Sequence, residues 1–424
     1  MKTSTNNLVM DRVQHPLALK ALEDAKNIVS MNGSNINGPS HEAISGLLST
    51  LEDGLHGTLS DSFFLSSIDP GIGKTLSVSC FLKAWKSSGF TPAVGVLVAV
   101  SRLEEIETYV QQAALAPEDF AVLTSSAPHN ALGSAPQGSA PVLFTTQQMI
   151  QKRAKSGRVL SEFHYKSESR ALRIWDESMV PEDTLTVRVD DLGQLASPLR
   201  HKAPEFVQGV QDLQAALWAL EDGGEITVPE GIAEKAPKAG LTDRLASIVD
   251  GLAQMAGKTV QAADVGHGDM YLLGASTPLP DDFTPAVILD ASGRVRPTYA
   301  LWEEHRGNLV RLPAAVNDYR DLEVGLWQRG SGKASLGRSG VQAEITAAIA
   351  SAIKAGDDNA EWLVISYKEH SGIVEDLRAS LPNPQRLKGL TWGRHAATNA
   401  CLRRTASAST SSVFGPIPRP SERF

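Results

Sequence analysis

The stretch Ser67-Ile68-Asp69-Pro70-Gly71-Ile72-Gly73-Lys74-Thr75 constrains this chain more than any other. An apolar run, Phe63-Phe64-Leu65, comes just before it, and a helix-like run, Leu76 to Ser87, follows. The loop therefore sits between an expected strand and an expected helix. Glycines there let the backbone turn its N–H groups inward around phosphate oxygens. The start of the following helix adds partial positive charge. In such a loop Lys74 would reach the β- and γ-phosphates and the Thr75 hydroxyl would hold Mg²⁺. Asp69, Gly71, Ile72, Gly73, Lys74 and Thr75 are the candidate nucleotide contacts. One departure is visible: the usual pattern opens with glycine where Ile68 stands. The bland alternative is a coincidental glycine-rich turn, and a second acidic element downstream shifts the balance toward the phosphate-loop reading.

The chain around that loop alternates apolar and amphipathic runs. Val94 to Val100 is continuously apolar, as expected of a strand buried on both faces. Arg102 to Leu115 follows as a helix, then a short strand, Phe120-Ala121-Val122-Leu123. Residues 125–140 are rich in Ser, Ala, Pro and Gly and read as a loop. Pro141 to Phe144 is a strand, Gln147 to Lys155 a helix, and Leu172-Arg173-Ile174-Trp175 a strand ending at Asp176-Glu177. Such alternation predicts a parallel α/β sheet flanked by helices.

Other regions depart from it. Residues 1–57 are polar and helical in composition, with a break at Asn32 to Gly38. Phe206 to Leu220 and Leu241 to Met255 carry apolar residues at helical spacing, so about 195–260 is expected to be a helical insertion. Strands return at Met270 to Leu273 and Ala286 to Leu289. A helix over 341–354, a strand at Trp362 to Tyr367 and a helix from Ser371 to Leu381 predict a second, partial α/β domain over 301–400. Residues 401–424 are rich in Ser, Arg and Pro without periodicity, and a disordered tail is expected there. The abrupt change suggests truncation or a frameshift.

An NTPase needs carboxylates near the phosphate loop. One holds Mg²⁺ and an adjacent one polarises the attacking water. Asp176 and Glu177 fit these roles by type and by position at a strand end, with Glu177 as the general base. The bland reading is a solvated strand terminus. Lys74, Asp176 and Glu177 are the candidate catalytic residues, and Thr75 with Asp176 the candidate metal ligands.

Asp176-Glu177-Ser178 after Arg173-Ile174-Trp175 resembles the DE-x-x box of superfamily 2 helicases, and Asp69-Pro70-Gly71-Ile72-Gly73-Lys74-Thr75 is similar to their phosphate loop. Val98 to Glu104 resembles the family's strand followed by a Pro-Thr-Arg-like motif. Leu143 to Gln148 resembles its strand-plus-Thr motif. The resemblance implies a RecA-like ATPase domain over 58–300 and a partial second RecA-like domain. It also implies ATP and Mg²⁺ as cofactors and a DNA or RNA partner touched by Ser101, Arg102, Thr145 and Thr146. Gly274-Ala275-Ser276-Thr277-Pro278 resembles the Ser-Ala-Thr motif that couples hydrolysis to movement, which would make Ser276 and Thr277 coupling residues. Leu289-Asp290-Ala291-Ser292 is a rival for that role. Gly393 to Asn399 resembles motif V of the second domain. The family's later arginine motif has no clear counterpart, since Arg403-Arg404 is a poor substitute. The implied activity is an ATP-dependent helicase or translocase. A viral packaging or restriction-type translocase, or a truncated relative that binds nucleotide without efficient hydrolysis, are the alternatives.

Composition narrows the setting. A net charge of −8 argues against a chain coated in positive charge, although a basic segment runs from Lys152 to Arg173. Its bland reading is a solvated surface. Two cysteines, Cys80 and Cys401, cannot form a disulfide framework or a zinc site. No stretch is long and apolar enough to span a bilayer, and no signal peptide is evident, so a cytoplasmic setting is expected. Gln14 is a weak candidate for reading adenine. His15, His41, His56 and His129 lack metal-ligand spacing. Cys80 reads as core, and the tryptophans at 85, 218, 302 and 327 read as core or helix-packing residues.

Overall fold

The computed structural model describes residues 15–154, 160–236, 241–266, 269–277, 279–280, 282–318, 330, 332–356 and 360–392. Gln14, Trp327, the motif V stretch, Arg403-Arg404 and the tail lie outside them. Contacts divide the chain into two compact units. One comprises residues 1–25, 42–68 and 75–314, the other 26–41, 69–74 and 315–424. Among the described residues no helix is long and apolar enough to cross a membrane.

In the first unit the early strands are β1 (Phe63–Ser66), β2 (Val96–Val100), β3 (Phe120–Leu123), β4 (Val142–Thr146) and β5 (Leu172–Asp176). Four more follow: β6 (Asp183–Arg188), β7 (Glu225–Thr227), β8 (Thr259–Asp264) and β9 (Met270–Ser276). Then come β10 (Ala286–Leu289) and β11 (Leu309–Arg311). Among the described residues the central sheet has seven strands in the order β11-β1-β10-β5-β2-β4-β3. Every pairing in it is parallel. The fold class is therefore α/β, with helices on both faces of a parallel sheet, as the alternation predicts.

The apolar runs explain the layering. Leu65, Leu97, Leu143, Trp175 and Ile288 pack with Ile150, Tyr299 and Trp302 in one buried cluster. Val98, Phe144 and Ile174, one position out of phase with these, are also fully buried. Phe144 meets the ring of Tyr109, at 6.0 Å between centroids. Strands buried on both faces read as near-continuous apolar runs, as Val96–Val100 and Ala286–Leu289 do.

The insertion differs from its expectation. Its helices Pro204–Trp218 and Asp243–Met255 are present. They accompany an antiparallel sheet in the order β6-β9-β8-β7, so the insertion runs from Asp183 to Ser276 and is not all helical. The missed signal is period-two alternation. Val260 and Ala262 are buried while Thr259 and Gln261 are exposed. The module has its own core, including Val187, Leu192, Phe206, Leu213, Leu252 and Leu272. Of the tryptophans, Trp85 and Trp302 are core, whereas Trp218 at the end of its helix is 62% exposed.

Two further expectations move. The domain boundary at 300–301 falls too early, because Leu309–Arg311 pairs in parallel with β1 in the central sheet. The basic segment is not all surface, since Arg170 and Arg173 are buried. Arg170 donates to the carbonyls of Phe163, Val96, Ala140, Pro141, Gln137 and His164. Burial pushes its pKa down to about 9, so it remains a cation at neutral pH and stitches the loops that enter β2 and β4.

In the second unit, β12 (Trp362–Tyr367) pairs in parallel with β13 (Leu387–Trp392), and the helix Gly372–Ser380 crosses between them. The helix Val341–Ala355 contributes Ala350 to a small core with Ile373, Val374 and Leu377.

Candidate nucleotide site

A parallel sheet points all its carboxyl ends at one edge, where ligands of open α/β sheets bind. Here that edge gathers Thr75 at the head of the helix after β1, Ser101-Arg102 after β2, Gln147 after β4, Asp176-Glu177 at the end of β5 and Asp290 after β10. The candidate residues are dispersed in sequence and adjacent in register. Ser66, Leu289 and Asp176 occupy matching positions on β1, β10 and β5.

The candidate phosphate loop has the backbone its glycines imply. Gly71 and Gly73 take φ of 86° and 119°, a region closed to most side chains. The loop runs straight into the helix Lys74–Ser87, whose first-turn N–H groups have no partner within the helix. Ile68 resolves the departure from the usual pattern. It is fully buried and is not among the residues of positive φ, so no glycine is required there. The loop is instead braced from the chain leaving β11. Asp69 N–H donates to Ala315 O at 2.9 Å, Asn317 N–H donates to the Asp69 carboxylate at 2.9 Å, and Asn317 Nδ2 donates to Pro70 O at 3.0 Å.

Thr75 and Asp176 come together. The Thr75 hydroxyl lies 3.5 Å from Asp176 Oδ2 across 101 residues of sequence. Tyr109, from the helix Leu103–Gln112, donates its hydroxyl to the same oxygen at 2.6 Å. Burial, then the charge of Asp176, pushes the Tyr109 phenol pKa well up, so it stays a donor. Gln147 Nε2 donates to Asp176 O at 2.6 Å. A hydroxyl and a buried carboxylate are hard oxygen donors, and that donor set suits Mg²⁺.

Glu177 is exposed and has φ of 98°, outside the usual range for a side-chain-bearing residue. Such a conformation costs about 1–3 kcal/mol and persists only where the surroundings hold it. Its N–H donates to Leu289 O at 3.2 Å, which ties the turn to β10.

The two coupling candidates separate. Ser276 ends β9 in the antiparallel insertion sheet, opposite Asp183, with its hydroxyl buried and, among the described residues, without a hydrogen-bond partner. Thr277 follows it, exposed. Ser276 thus belongs to the four-stranded sheet, whereas Asp290 directly follows β10 of the central sheet. Asp290 Oδ1 accepts from the N–H and hydroxyl of Ser292. Asp290 Oδ2 accepts from Tyr299, whose hydroxyl in turn accepts from Met179 N–H. A Cβ on Gly293 would fall 2.5 Å from the Ser67 hydroxyl. The turn after β10 therefore touches both the start of the phosphate loop and the turn after Glu177.

The nucleic-acid candidates divide likewise. Thr145 is fully buried and its hydroxyl donates to Leu123 O at 2.7 Å, so it cannot meet an outside strand. Thr146 accepts from Met149 N–H and caps the helix Gln147–Ala154. The Glu105 carboxylate accepts from the N–H and hydroxyl of Ser101 and from Arg102 N–H, fixing the start of the next helix. The Arg102 side chain is exposed at the edge. Sequence reasoning missed Tyr109, Gln147 and Asn317. The available signal for Tyr109 was Ile106-x-x-Tyr109 at helical spacing, because a buried phenol needs an acceptor. Cys80 is buried core, its thiol pKa pushed up to about 11, first by burial and then by Asp24. Among the described residues no His, Cys, Asp and Glu cluster suits a metal ion.

No protein-family model matches the chain, and no curated protein is significantly similar to it. Solved structures with some likeness include S. tokodaii Xpd4, at 12% identity over 80% of this chain and 73% of that one, with a TM-score of 0.37. An apo XPD structure matches at 13% identity, 79% and 71% coverage and a TM-score of 0.36. T4 UvsW matches at 12% identity, 87% and 61% coverage and a TM-score of 0.27. Likeness of this degree carries no chemistry, and what the site can do follows from its own residues.

Proposed function

We propose that the carboxyl edge of the central sheet binds ATP with Mg²⁺ and hydrolyses it to drive movement on DNA or RNA. One observation carries the reading. Thr75, which directly follows Lys74 at the head of the phosphate-loop helix, lies against Asp176, and Glu177 stands next to it. In this reading the backbone N–H groups of Gly71 to Thr75 hold the phosphates and the Lys74 amine reaches the transferred group. Magnesium held by Thr75 and Asp176 would neutralise charge developing on the phosphate oxygens. Glu177 orients the attacking water and accepts its proton. Asp290 and Ser292 take the coupling role, and Arg102 meets the nucleic-acid backbone. Ser101 and Thr146 position their helices beside it.

The test is ATP turnover by the purified chain alone and with single-stranded DNA, duplex DNA or RNA. At least one polymer is expected to raise turnover several-fold, and Arg102→Ala to blunt that rise without lowering the basal rate. Turnover indifferent to all three polymers would remove the nucleic-acid half of the reading and leave the ATPase.

A further inference from the structure

We infer that Tyr109 is a positioning residue that sets the affinity of the site for its divalent cation. The inference rests on the nucleotide-site reading above and deepens it. Two hydroxyls converge on one oxygen of Asp176, Tyr109 at 2.6 Å and Thr75 at 3.5 Å. A carboxylate at a strand end has two side-chain torsions to settle, and settling them before the ion arrives lowers the cost of binding it. Tyr109 restrains them through its bond to Oδ2. Its ring is fully buried and packs 6.0 Å from the Phe144 ring, so the phenol cannot swing away. Gln147 holds the main chain of the same residue at Asp176 O. The side chain and the backbone of Asp176 are thus gripped by two different elements, and the grip aims the carboxylate at Thr75.

A phenol is suited to this post. It stays neutral, so it orients the carboxylate without replacing the cation electrostatically. Lysine or arginine in its place would compete with the metal for the same charge. Partners of this kind typically change metal affinity by about 10–100-fold when removed. Tyr109 touches neither nucleotide nor reacting atoms in this account, so its effect belongs to the metal and not to the base or the phosphates.

The test compares wild type with Tyr109→Phe, which keeps the ring and removes only the donor. Binding of a fluorescent, non-hydrolysable ATP analogue is measured in EDTA, and Mn²⁺ binding to the analogue complex is followed by electron paramagnetic resonance. The expected result is a roughly ten-fold rise in the Mn²⁺ midpoint for Tyr109→Phe. Metal-free analogue affinity should stay within about two-fold, and a urea midpoint close to that of wild type shows that the fold is intact. Equal Mn²⁺ midpoints in the two proteins overturn this proposal alone. Equal loss of metal-free and metal-dependent binding also overturns it, because that is the pattern of general damage. A wild type that binds no metal–analogue complex overturns the underlying site reading as well.

Discussion

The central parallel sheet and the antiparallel insertion sit in one compact unit and treat their strand ends in opposite ways. In the parallel sheet β1, β5 and β10 finish on one edge, so Thr75, Asp176 and Asp290 are gathered by topology before any side chain is chosen. In the insertion successive neighbours run in opposite directions, and strand ends are shared between two edges. Ser276 shows the consequence. It belongs to a stretch with the right letters, yet it ends an antiparallel strand with its hydroxyl unpartnered among the described residues. Ser292 belongs to the rival stretch, and it follows β10 of the central sheet, held by Asp290. A motif is informative here only together with the sheet that presents it.

The largest expected effect contrasts the two sheets directly. Asp176→Asn should lower ATP turnover by about a thousand-fold, as removal of a preorganised charge at a reacting centre does. Ser276→Ala should leave turnover within two-fold and raise stability by up to about 1 kcal/mol, because it deletes a buried hydroxyl that has no partner among the described residues. Comparable losses in both variants would break the comparison. In a urea series, Arg170→Leu should cost about 3–5 kcal/mol, since it leaves a set of buried carbonyls without their donor. Trp218→Ala in the insertion should stay within about 0.5 kcal/mol, as expected for an exposed side chain. Smaller again is Asn317→Ala, which removes the donor to Pro70 O and keeps the backbone bond to Asp69. A loss of about 1 kcal/mol, or roughly five-fold in nucleotide affinity, is expected. Affinity indistinguishable from wild type would show that the brace does not shape the loop.

Much of the central sheet was legible in the sequence because a strand buried on both faces reads as a near-continuous apolar run. Val96 to Val100 and Ala286 to Leu289 announce themselves in this way. The helices after them follow from apolar spacing. The insertion strands were missed because half-exposed strands such as Glu225–Thr227 alternate over too few residues to stand out beside two long amphipathic helices. At the candidate site, the meeting of Thr75 with Asp176 could be anticipated, because both lie where parallel strands end. Their supports could not. Tyr109 matters through a contact 67 residues away, and Asn317 through one 248 residues away. Only the folded chain supplies such pairings. Thr145 failed for a related reason, since strand register and not composition turned its hydroxyl onto β3.

The central claim is that the loop at 69–75 and the acids at 176–177 serve one triphosphate, with binding and hydrolysis assigned to different residues. It is tested most directly by measuring ATP affinity and single-turnover hydrolysis together for wild type, Lys74→Ala and Glu177→Gln. Glu177→Gln should bind Mg-ATP about as tightly as wild type and hydrolyse it about a thousand-fold more slowly, while Lys74→Ala loses both. Wild-type hydrolysis rates in both variants would contradict the account.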